Sequence, residues 1–494
     1  MTQAATYIVI FLATLLFLHL FWIAYLKLHP SQRKQKPTDQ IAQCEYLIVY
    51  ASQSGNATNL AQQTAAKLQQ NQISVELIDI QNLNQTHLLQ ASQVLWFVST
   101  YGEGDAPDSA RAFVQKMLNQ SIDLSHLKFA ILALGDRGYQ NFCQFGKNLN
   151  QWLVHQQAEP LFEMICVDEL NANDLTRWSL QLNELTQVNM GQISQQKADW
   201  QALHLVEREL LNAGSQGNPL FRVRLEAKPE VVWQSGDIVE IQCANGVQRI
   251  DDFMMQYSAE SQSINKSDLL YKNLVELPER AESETFQAWI SRFESLDYRE
   301  YSVASTPEQG FIELVIRQSI DQGELGLGSG WMTVHSHLGE QILVRIRSNP
   351  NFHLLQENQA AIFIGNGSGI AGLLAHLHAR HQLAYTDNWL IFGEREKQYD
   401  SLYPELLQTW QKSGFLTDLD LVFSRDGNQH KYVKDCLLSK AEQLKTWVDK
   451  GAAIYVCGSL KTMGVDVDHS LNLILGEEKV IELLQQKRYL RDVY

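Results

Sequence analysis

The sequence is poor in basic residues relative to acidic ones. Its 40 Lys and Arg residues are outnumbered by 56 Asp and Glu, which gives a formal net charge of −16 at pH 7. This balance argues against a nucleic-acid ligand, because phosphate contacts need clustered Lys and Arg side chains. An acidic surface favours either a basic protein partner or simple solubility.

Cysteines are also few, and none forms a C-x-x-C pair. Their spacing excludes the usual zinc and iron–sulfur ligand patterns, so we predict no metal site and expect reduced thiols in the cytoplasm. Low-complexity tracts and obvious repeats are absent as well. A chain of 494 residues is therefore expected to form roughly two to four globular domains. The six cysteines are Cys44, Cys143, Cys166, Cys243, Cys436 and Cys457.

A hydrophobic run near the start contrasts with this globular composition. Residues 7–26 carry no formal charge, and about 20 such residues suffice for a helix that crosses a bilayer. Trp22 and Tyr25 lie near one end, where interfacial aromatic residues belong. A signal peptide is the alternative, but no basic segment precedes the run and no small-residue cleavage site follows. Basic residues follow the run, so we predict a transmembrane helix at 1–28, a polar linker at 29–43, and a single-pass protein of the inner or cell membrane with cytoplasmic catalytic domains.

The periodicity of hydrophobic residues changes twice along the remaining sequence. Hydrophobic strands at 46–50, 75–79, 94–98 and 129–133 alternate with helical stretches, which predicts a parallel α/β sheet. A middle region alternates with period two and predicts an antiparallel β-barrel, after which the α/β pattern returns. The predicted domains are an α/β domain at 44–190, a barrel at 191–355 with a short helical insert at about 251–297, and an α/β domain at 356–494.

Three loops follow successive strands of the first α/β domain. Residues 52–57, S-Q-S-G-N-A, join a strand to a helix and can cradle a phosphate with hydroxyl and backbone N–H groups. The loop lacks a Walker lysine, which favours a monoester phosphate over a nucleoside triphosphate, although an ordinary turn is the plainer interpretation of this loop alone. The other loops are 99–105 and 134–143, and we expect their Tyr101 and Tyr139 to converge above the cradle, where a planar ring could bind.

These loops, S-Q-S-G-N-A, S-T-Y-G-E-G-D and L-G-D-R-G-Y-Q-N-F-C, resemble the flavodoxin-like, FMN-binding domain of NADPH-dependent diflavin reductases. By that resemblance Tyr101 and Tyr139 flank the isoalloxazine ring, and Asp168 lies near the ring or the ribityl chain. The implied FMN residues are Ser52, Gln53, Ser54, Gly55, Asn56, Ala57, Ser99, Thr100, Tyr101, Gly102, Gly104, Leu134, Gly135, Asp136, Tyr139, Phe142, Cys143 and Asp168.

The barrel carries R-E-Y-S at 299–302 and the glycine-rich G-L-G-S-G-W-M at 326–332. Arginine offers a forked donor for a pyrophosphate, although an ordinary strand with an exposed Arg is the plainer interpretation of the tetrapeptide alone. Together the two segments resemble the R-x-Y-S and G-x-x-[ST] elements of FAD domains in the ferredoxin–NADP reductase family. The implied FAD residues are Arg299, Tyr301, Ser302, Gly326, Gly328, Ser329 and Tyr494.

The last α/β domain opens with F-I-G-N-G-S-G-I-A-G at 363–372. A glycine-rich turn from strand to helix can cradle a pyrophosphate, and this one resembles the G-x-G-T-G-I-A-P segment of the same reductases. The sequence departs from that pattern at Asn366 and Gly372, where proline is usual, and at Leu374, where an arginine often follows.

A second element of this domain concerns the choice between NADPH and NADH. Ser424 and Arg425 resemble the pair that holds the 2′-phosphate of NADPH, and an arginine there accommodates that phosphate. The family's K-x-Y is replaced by His430, Lys431 and Tyr432, which displaces the lysine by one position and reverses its face on a strand. NADPH remains the expected nucleotide. The implied residues are Gly367, Ser368, Gly369, Ser424, Arg425, Lys431, Tyr432, Asp466 and Lys434, which could compensate for the displaced lysine.

The hydride-transfer residues are implied by the same resemblance. The cysteine of Y-V-C-G-S and the acid of R-D-V-Y meet the R-x-Y-S serine in this family, which maps to Cys457, Asp492 and Ser302. The family's terminal aromatic residue, here Tyr494, covers the FAD ring and moves aside for the nicotinamide.

The resemblance extends from about residue 45 to 494 and implies a diflavin reductase with FMN, FAD and NADPH. Electrons pass from NADPH to FAD, then to FMN, then to a haem or sirohaem protein. Both sulfite reductase flavoproteins and NADPH–haemoprotein reductases are similar, although the insert is shorter than in either. A membrane-associated ferric-complex reductase is an alternative. A flavin-binding scaffold without NADPH turnover is another, favoured by the departures around Asn366 and His430 and opposed by the retained hydride-transfer residues.

Overall fold

The computed structural model describes residues 44–189, 191, 193, 199–321, 323–427 and 430–494. The predicted membrane span at 7–26 and the linker at 29–43 lie outside these residues. Among the residues that are described, no helix is long and apolar enough to cross a membrane. This finding contradicts the predicted single-pass membrane location, which is not retained. That prediction rested on the hydropathy and the flanking residues of the run at 7–26 alone.

The first α/β region forms a six-stranded parallel sheet, with strand order β2-β1-β3-β4-β5 and β6 paired with β4. The four strands predicted from the sequence are all present. Strands such as β3, QVLWFVS, are buried along nearly their whole length, as expected where helices cover both faces of a parallel sheet. The strands are β1 Tyr46–Ala51, β2 Val75–Asp79, β3 Gln93–Ser99, β4 Lys128–Gly135, β5 Glu159–Pro160 and β6 Ile165–Asp168. The helices are α1 Asn56–Gln70, α2 Gln85–Gln90, α3 Arg111–Lys116, α4 Gln144–His155 and α5 Ala172–Thr186.

The middle region forms a six-stranded antiparallel sheet with order β10-β9-β14-β7-β8-β11. In the second half of β8, VRLE, buried residues alternate with more exposed ones, which is the period-two pattern of an antiparallel sheet with one face on the core. The strands are β7 Gln201–Leu210, β8 Leu220–Glu226, β9 Ile238–Gln242, β10 Tyr298–Ser302, β11 Phe311–Arg317 and β14 Gln341–Arg347, with a separate pair formed by β12 Ile320–Asp321 and β13 Glu324–Leu325. A short helix, α9 Leu327–Gly330, follows β13.

The predicted helical insert lies between β9 and β10. It contains α6 Val247–Gln256, α7 Lys266–Leu269 and α8 Phe286–Ser291. These short helices have a small hydrophobic core of their own. In it, the rings of Trp289 and Phe293 meet edge to face with centroids 4.8 Å apart, a favourable arrangement for aromatic pairs.

The last region forms a five-stranded parallel sheet with order β17-β16-β15-β18-β19. Two hydrophobic clusters pack against its strands, again as expected for a covered parallel sheet. The strands are β15 Ala361–Asn366, β16 Asn388–Glu394, β17 Leu416–Phe423, β18 Ala453–Gly458 and β19 Tyr489–Val493. The helices are α10 Ile370–Gln382, α11 Pro404–Lys412, α12 Val433–Ser439, α13 Ala441–Asp449, α14 Val465–Leu475 and α15 Glu477–Gln485.

All three sheets belong to one compact unit, Glu45–Tyr494. In each parallel sheet the first strand lies in the interior, β1 between β2 and β3 and β15 between β16 and β18. Strand order reverses beside such a strand, and ligands bind in the crevice at the carboxyl ends there. The predicted loops after β1 and β15 therefore occupy the expected binding positions. The domain boundaries stay predictions.

Candidate functional site

A cavity of about 410 Å³ lies at the carboxyl ends of the first parallel sheet. It is walled by the three loops predicted from the sequence, and the phosphate loop leads directly into α1, a helix of 15 residues. Backbone N–H groups at such a helix start can hold a phosphate. The predicted residues that line this cavity are Ser54, Asn56, Ser99, Thr100, Gly102, Leu134, Gly135, Asp136, Tyr139, Phe142 and Cys143.

The phosphate loop is held by its own hydrogen bonds. The Ser52 hydroxyl accepts a bond from the Ala57 amide at 3.2 Å, and the Gln53 amide donates to the Ser99 hydroxyl at 3.3 Å. Gly55 adopts a φ of 86° with no other atom near a hypothetical Cβ, a conformation that glycine reaches without strain. These residues therefore shape the cradle, while their neighbours Ser54 and Asn56 line the cavity.

The third loop and the turn after β6 contain residues that the motifs did not single out. Asp168 accepts a hydrogen bond from the Arg137 amide at 2.9 Å, so it positions the loop, and the adjacent Glu169 and Leu170 line the cavity. Asn141 also lines it, and a Cβ on Gly104 would lie 2.9 Å from the Asn141 Cβ. Glycine at 104 therefore lets the second and third loops approach closely.

Tyr101 does not lie where the sequence analysis expected it. Its hydroxyl donates to the Val493 carbonyl at 2.5 Å, and its ring lines a second cavity, whereas Tyr139 lines the first. The Tyr101 amide also donates to the Asp105 carbonyl at 2.8 Å, in a local turn of the loop. The structure thus does not bring the two tyrosines to the same cavity. Burial raises the pKa of Tyr101 above its usual 10.0, which keeps the hydroxyl a donor.

The second cavity, of about 400 Å³, is built by loops and strands from all three sheets. The predicted FAD residues Tyr301, Ser302 and Tyr494 line it. It also shares wall residues with the first cavity, so the two cavities lie side by side. The shared residues are Ser54, Ser99, Thr100 and Glu300.

The remaining FAD residues cluster beside this cavity. A Cβ on Gly328 would lie 2.6 Å from the Arg299 Cγ and 2.7 Å from the Tyr301 hydroxyl, so glycine is needed where the turn meets the R-E-Y-S strand. The Ser329 hydroxyl accepts from the Ser319 amide at 3.0 Å and donates to the Gly326 carbonyl at 3.3 Å. Arg299 itself lines the first cavity and not the second, which differs from the expectation.

The three predicted hydride-transfer residues meet at the second cavity. The Ser302 hydroxyl donates to the Asp492 Oδ2 at 2.6 Å, and the Cys457 Sγ is 3.9 Å from the same oxygen. Burial raises the pKa of Asp492 above its usual 3.8, and the hydrogen bond from Ser302 opposes that rise. Burial also raises the pKa of Cys457 well above 9.0, so its thiol stays protonated. A Cβ on Gly372 would be 3.0 Å from the Cys457 Sγ, so the glycine that departs from the family pattern gives this thiol room.

A third cavity, of about 760 Å³, opens at the carboxyl ends of the last sheet. Three predicted NADP residues, Ser368, Gly369 and Arg425, do not line it. Ser368 is at the second cavity, with its hydroxyl 3.1 Å from that of Tyr494, and the Arg425 amide donates to the Arg395 carbonyl at 2.8 Å. The predicted residues that line it are Gly367, Ser424, Lys431, Tyr432, Lys434 and Asp466.

The charges of the third cavity suit a phosphorylated nucleotide. Lys434 is paired with Asp466 at 3.0 Å, and this acid raises the lysine pKa above 10.5. The ammonium of Lys431 lies 5.3 Å from the centre of the Tyr432 ring. The motifs missed Arg395, which lines the cavity and whose buried Nε has no hydrogen-bond partner among the described residues. It offers an unused donor, as expected for a site that takes an anion.

Comparisons with known proteins agree with this arrangement. A flavodoxin family model matches residues 48–180, and an oxidoreductase NAD-binding domain model matches residues 363–469. The sulfite reductase [NADPH] flavoprotein alpha-component of Aliivibrio fischeri is 28% identical, over 90% of this chain and 89% of the relative. The proteins of that name from Vibrio vulnificus and Bacillus subtilis are each 26% identical, over 90% and 91% of this chain and 87% and 89% of the relative.

These matches cover the part of the chain on which the sequence motifs lie. They confirm the predicted enzyme class, an oxidoreductase, and the predicted cofactors FMN, FAD and NADPH. The predicted resemblance to NADPH-dependent diflavin reductases is confirmed, since the chain is similar to sulfite reductase flavoproteins over about 90% of its length.

Proposed function

We propose that the chain takes electrons from NADPH and delivers them, through FAD and then FMN, to a haem or sirohaem protein. The observation that carries this proposal is the wall that the first two cavities share. Electrons can pass between two flavins bound on either side of it without leaving the protein. Bound flavins supply the hydride acceptance and the single-electron transfer, while the protein supplies placement and electrostatics.

The roles of the side chains follow from their positions. The loop at 52–57 would hold the FMN phosphate, and Tyr139 would lie against the FMN ring. Ser302 would hydrogen-bond near the reactive edge of the FAD ring. Asp492, with Cys457 beside it, would balance the positive charge that develops on the nicotinamide. Tyr494 would cover the FAD ring and move aside for the nicotinamide.

The acceptor is inferred from the relatives. Each of those named above is a sulfite reductase flavoprotein alpha-component, which supports a sulfite reductase haemoprotein as the partner of this chain. The net charge of −16 is compatible with a basic surface on that partner.

Anaerobic stopped-flow absorbance of the full chain, loaded with its flavins, tests the proposal. We expect FAD and FMN in equal amounts, rapid bleaching of the flavin band with NADPH and slow bleaching with NADH. Subsequent addition of a sirohaem sulfite reductase subunit should reoxidise the flavins. Bound flavins that neither nucleotide bleaches would contradict the reductase function and favour a flavin-binding scaffold. Bleaching by NADPH followed by reoxidation with a ferric complex alone would favour a ferric-complex reductase.

Lys431 should select NADPH over NADH. Lys431→Met is expected to lower kcat/KM for NADPH by about tenfold and to leave that for NADH nearly unchanged, because a charged hydrogen bond to the 2′-phosphate is lost. Steady-state kinetics with both nucleotides would measure this. Lys445→Met is the control, because Lys445 lies on α13 in an exposed pair with Glu442. Equal losses with NADPH and NADH would show that Lys431 has no part in selection.

A further inference from the structure

The two faces of strand β19 contact different parts of the protein. Tyr489 and Arg491 point to one side, where they meet residues of the first α/β domain and of α14, while Asp492 points to the other side and meets Ser302. This follows from the alternation of side chains along a strand. One short strand thus contacts both the FMN-binding part of the protein and the hydride-transfer residues.

The strongest contact on the first side joins Arg491 to Asp108. The guanidinium binds the carboxylate through two nitrogens, with Nε 2.9 Å from Oδ2 and Nη2 in contact with Oδ1. The two side chains are 10% and 16% exposed. Such a nearly buried, two-point pair is directional, and removing one partner leaves a buried charge without compensation.

Further bonds hold the same strand from the same side. The Tyr101 hydroxyl donates to the Val493 carbonyl at 2.5 Å, and the Tyr489 hydroxyl donates to the Asp468 Oδ1 at 3.2 Å. Asp468 is in turn held by Arg111 of the first domain through two bonds of 2.7 and 3.0 Å. Residues before and after Asp492 are therefore both fixed by the first domain.

Asp108 also helps to hold the loop at 52–57, which is proposed to bind the FMN phosphate. The Gln53 side chain donates to the Asp108 Oδ2 at 3.1 Å and accepts from the Asp108 amide at 3.0 Å. A hydrogen-bonded path therefore runs from the phosphate loop through Asp108 to Arg491, the residue next to Asp492.

We propose that Asp108 and Tyr101 of the first α/β domain are positioning residues for hydride transfer, holding β19 so that the Asp492 carboxylate meets Ser302 and Cys457. The inference rests on the proposed function. It means that contact with the FMN-binding domain, together with the pairing of β19 with β18, keeps Asp492 in place. Neither residue touches the nicotinamide; both act through the strand.

The test is Asp108→Asn in the full chain loaded with its flavins. At saturating NADPH, the rate of FAD reduction should fall by about tenfold with little change in the half-saturating NADPH concentration, because small displacements of a catalytic group are costly. Asp108→Glu keeps the charge and should recover part of the rate. Hydrogen–deuterium exchange should become clearly faster in the peptide that contains β19 and change less in the peptide that contains residues 52–57, because the residue 108 amide still donates to the Gln53 side chain.

Glu103→Gln is the matched control. Glu103 lies in the same loop as Tyr101 and pairs with Lys461 of the last domain at 3.2 Å. Like Asp108→Asn, Glu103→Gln removes one negative charge from the first domain. The partner of Glu103, however, is Lys461, which is not on β19. We expect both the rate and the exchange of β19 to match those of the unchanged chain.

Three outcomes would overturn the inference. The first is an Asp108→Asn variant with an unchanged rate and unchanged exchange. The second is an effect of Glu103→Gln equal to that of Asp108→Asn. The third is an equal loss of protection in β19 and in residues 52–57, because it would mean that Asp108 holds the whole domain. Failure of the proposed function is a separate result. If NADPH does not bleach the unchanged chain, the exchange comparison still tests whether Asp108 fixes β19.

Discussion

Replacing Asp492 by asparagine should slow the reduction of FAD by NADPH about a hundredfold at saturating nucleotide, the size of effect seen when a preorganised electrostatic contact is removed. Asparagine keeps nearly the same shape and can still accept a hydrogen bond from Ser302, whose hydroxyl lies 2.6 Å from the carboxylate. It lacks the negative charge that balances the nicotinamide as it becomes cationic. The loss should therefore appear in the hydride-transfer rate rather than in nucleotide binding.

Single-turnover absorbance of the FAD band, with NADPH in excess, measures this rate. Glu482→Gln is a suitable control, because Glu482 is an acid on α15 of the same domain that pairs with Lys479 at 2.9 Å. It should react at the rate of the unchanged chain. An Asp492→Asn variant with an unchanged rate would remove Asp492 from the hydride-transfer site.

The pH dependence of the same step has a defined sign. Burial raises the pKa of Asp492 above its usual 3.8, so a larger fraction is protonated at a given acidic pH than for an exposed aspartate. Because the ionised form is the one that balances positive charge, the rate should fall as the pH is lowered through this raised pKa. Asp492→Asn should lack that acid limb.

Gly369→Ala should destabilise the protein by about 3 kcal/mol, at the upper end of the cost of overpacking a closely packed site. A Cβ at this position would lie 2.2 Å from the Cys457 carbonyl oxygen and 2.6 Å from the Gly458 Cα. Both are backbone atoms of β18 and cannot rotate away. The start of α10 would have to move off the sheet, and the nucleotide loop and Cys457 would move with it.

Thermal and denaturant unfolding of the full chain, together with NADPH binding, would measure this effect. Gly339→Ala is the control: Gly339 has a φ of 84° and no atom within 4 Å of a hypothetical Cβ. It should lose only about 1 kcal/mol through backbone strain. A Gly369→Ala variant no less stable than Gly339→Ala would show that α10 and β18 separate easily.

Much of the fold and of the site could be predicted because the information is local. Strands such as β1 and β3 are almost wholly hydrophobic, and a loop at the carboxyl end of a parallel strand has a predictable position. The motifs predicted Ser302, Cys457 and Asp492 as hydride-transfer residues, and the structure brings these side chains together although Ser302 and Asp492 are 190 positions apart.

Other features depend on contacts between distant parts of the chain, which no local pattern encodes. Tyr101 faces the second cavity because the Val493 carbonyl accepts its hydroxyl, and Arg299 lines the first cavity because β10 passes beside the FMN loops. Arg395 was missed for a related reason. It follows β16, which carries no glycine-rich motif, and only the assembled sheet places it at the third cavity.

The register of β19 decides which of its side chains occupy each face of the strand. The side chains of Tyr489 and Arg491 face α14 and the first domain, and that of Asp492 faces Ser302, so shifting the strand by one position would exchange the two faces. Insertion of one residue between Lys487 and Leu490 would place the arginine opposite Ser302 and Leu490 opposite Asp108, which would then lack its cation. A single substitution along this strand alters one of its interfaces, whereas a change of length by one residue would disrupt both interfaces together.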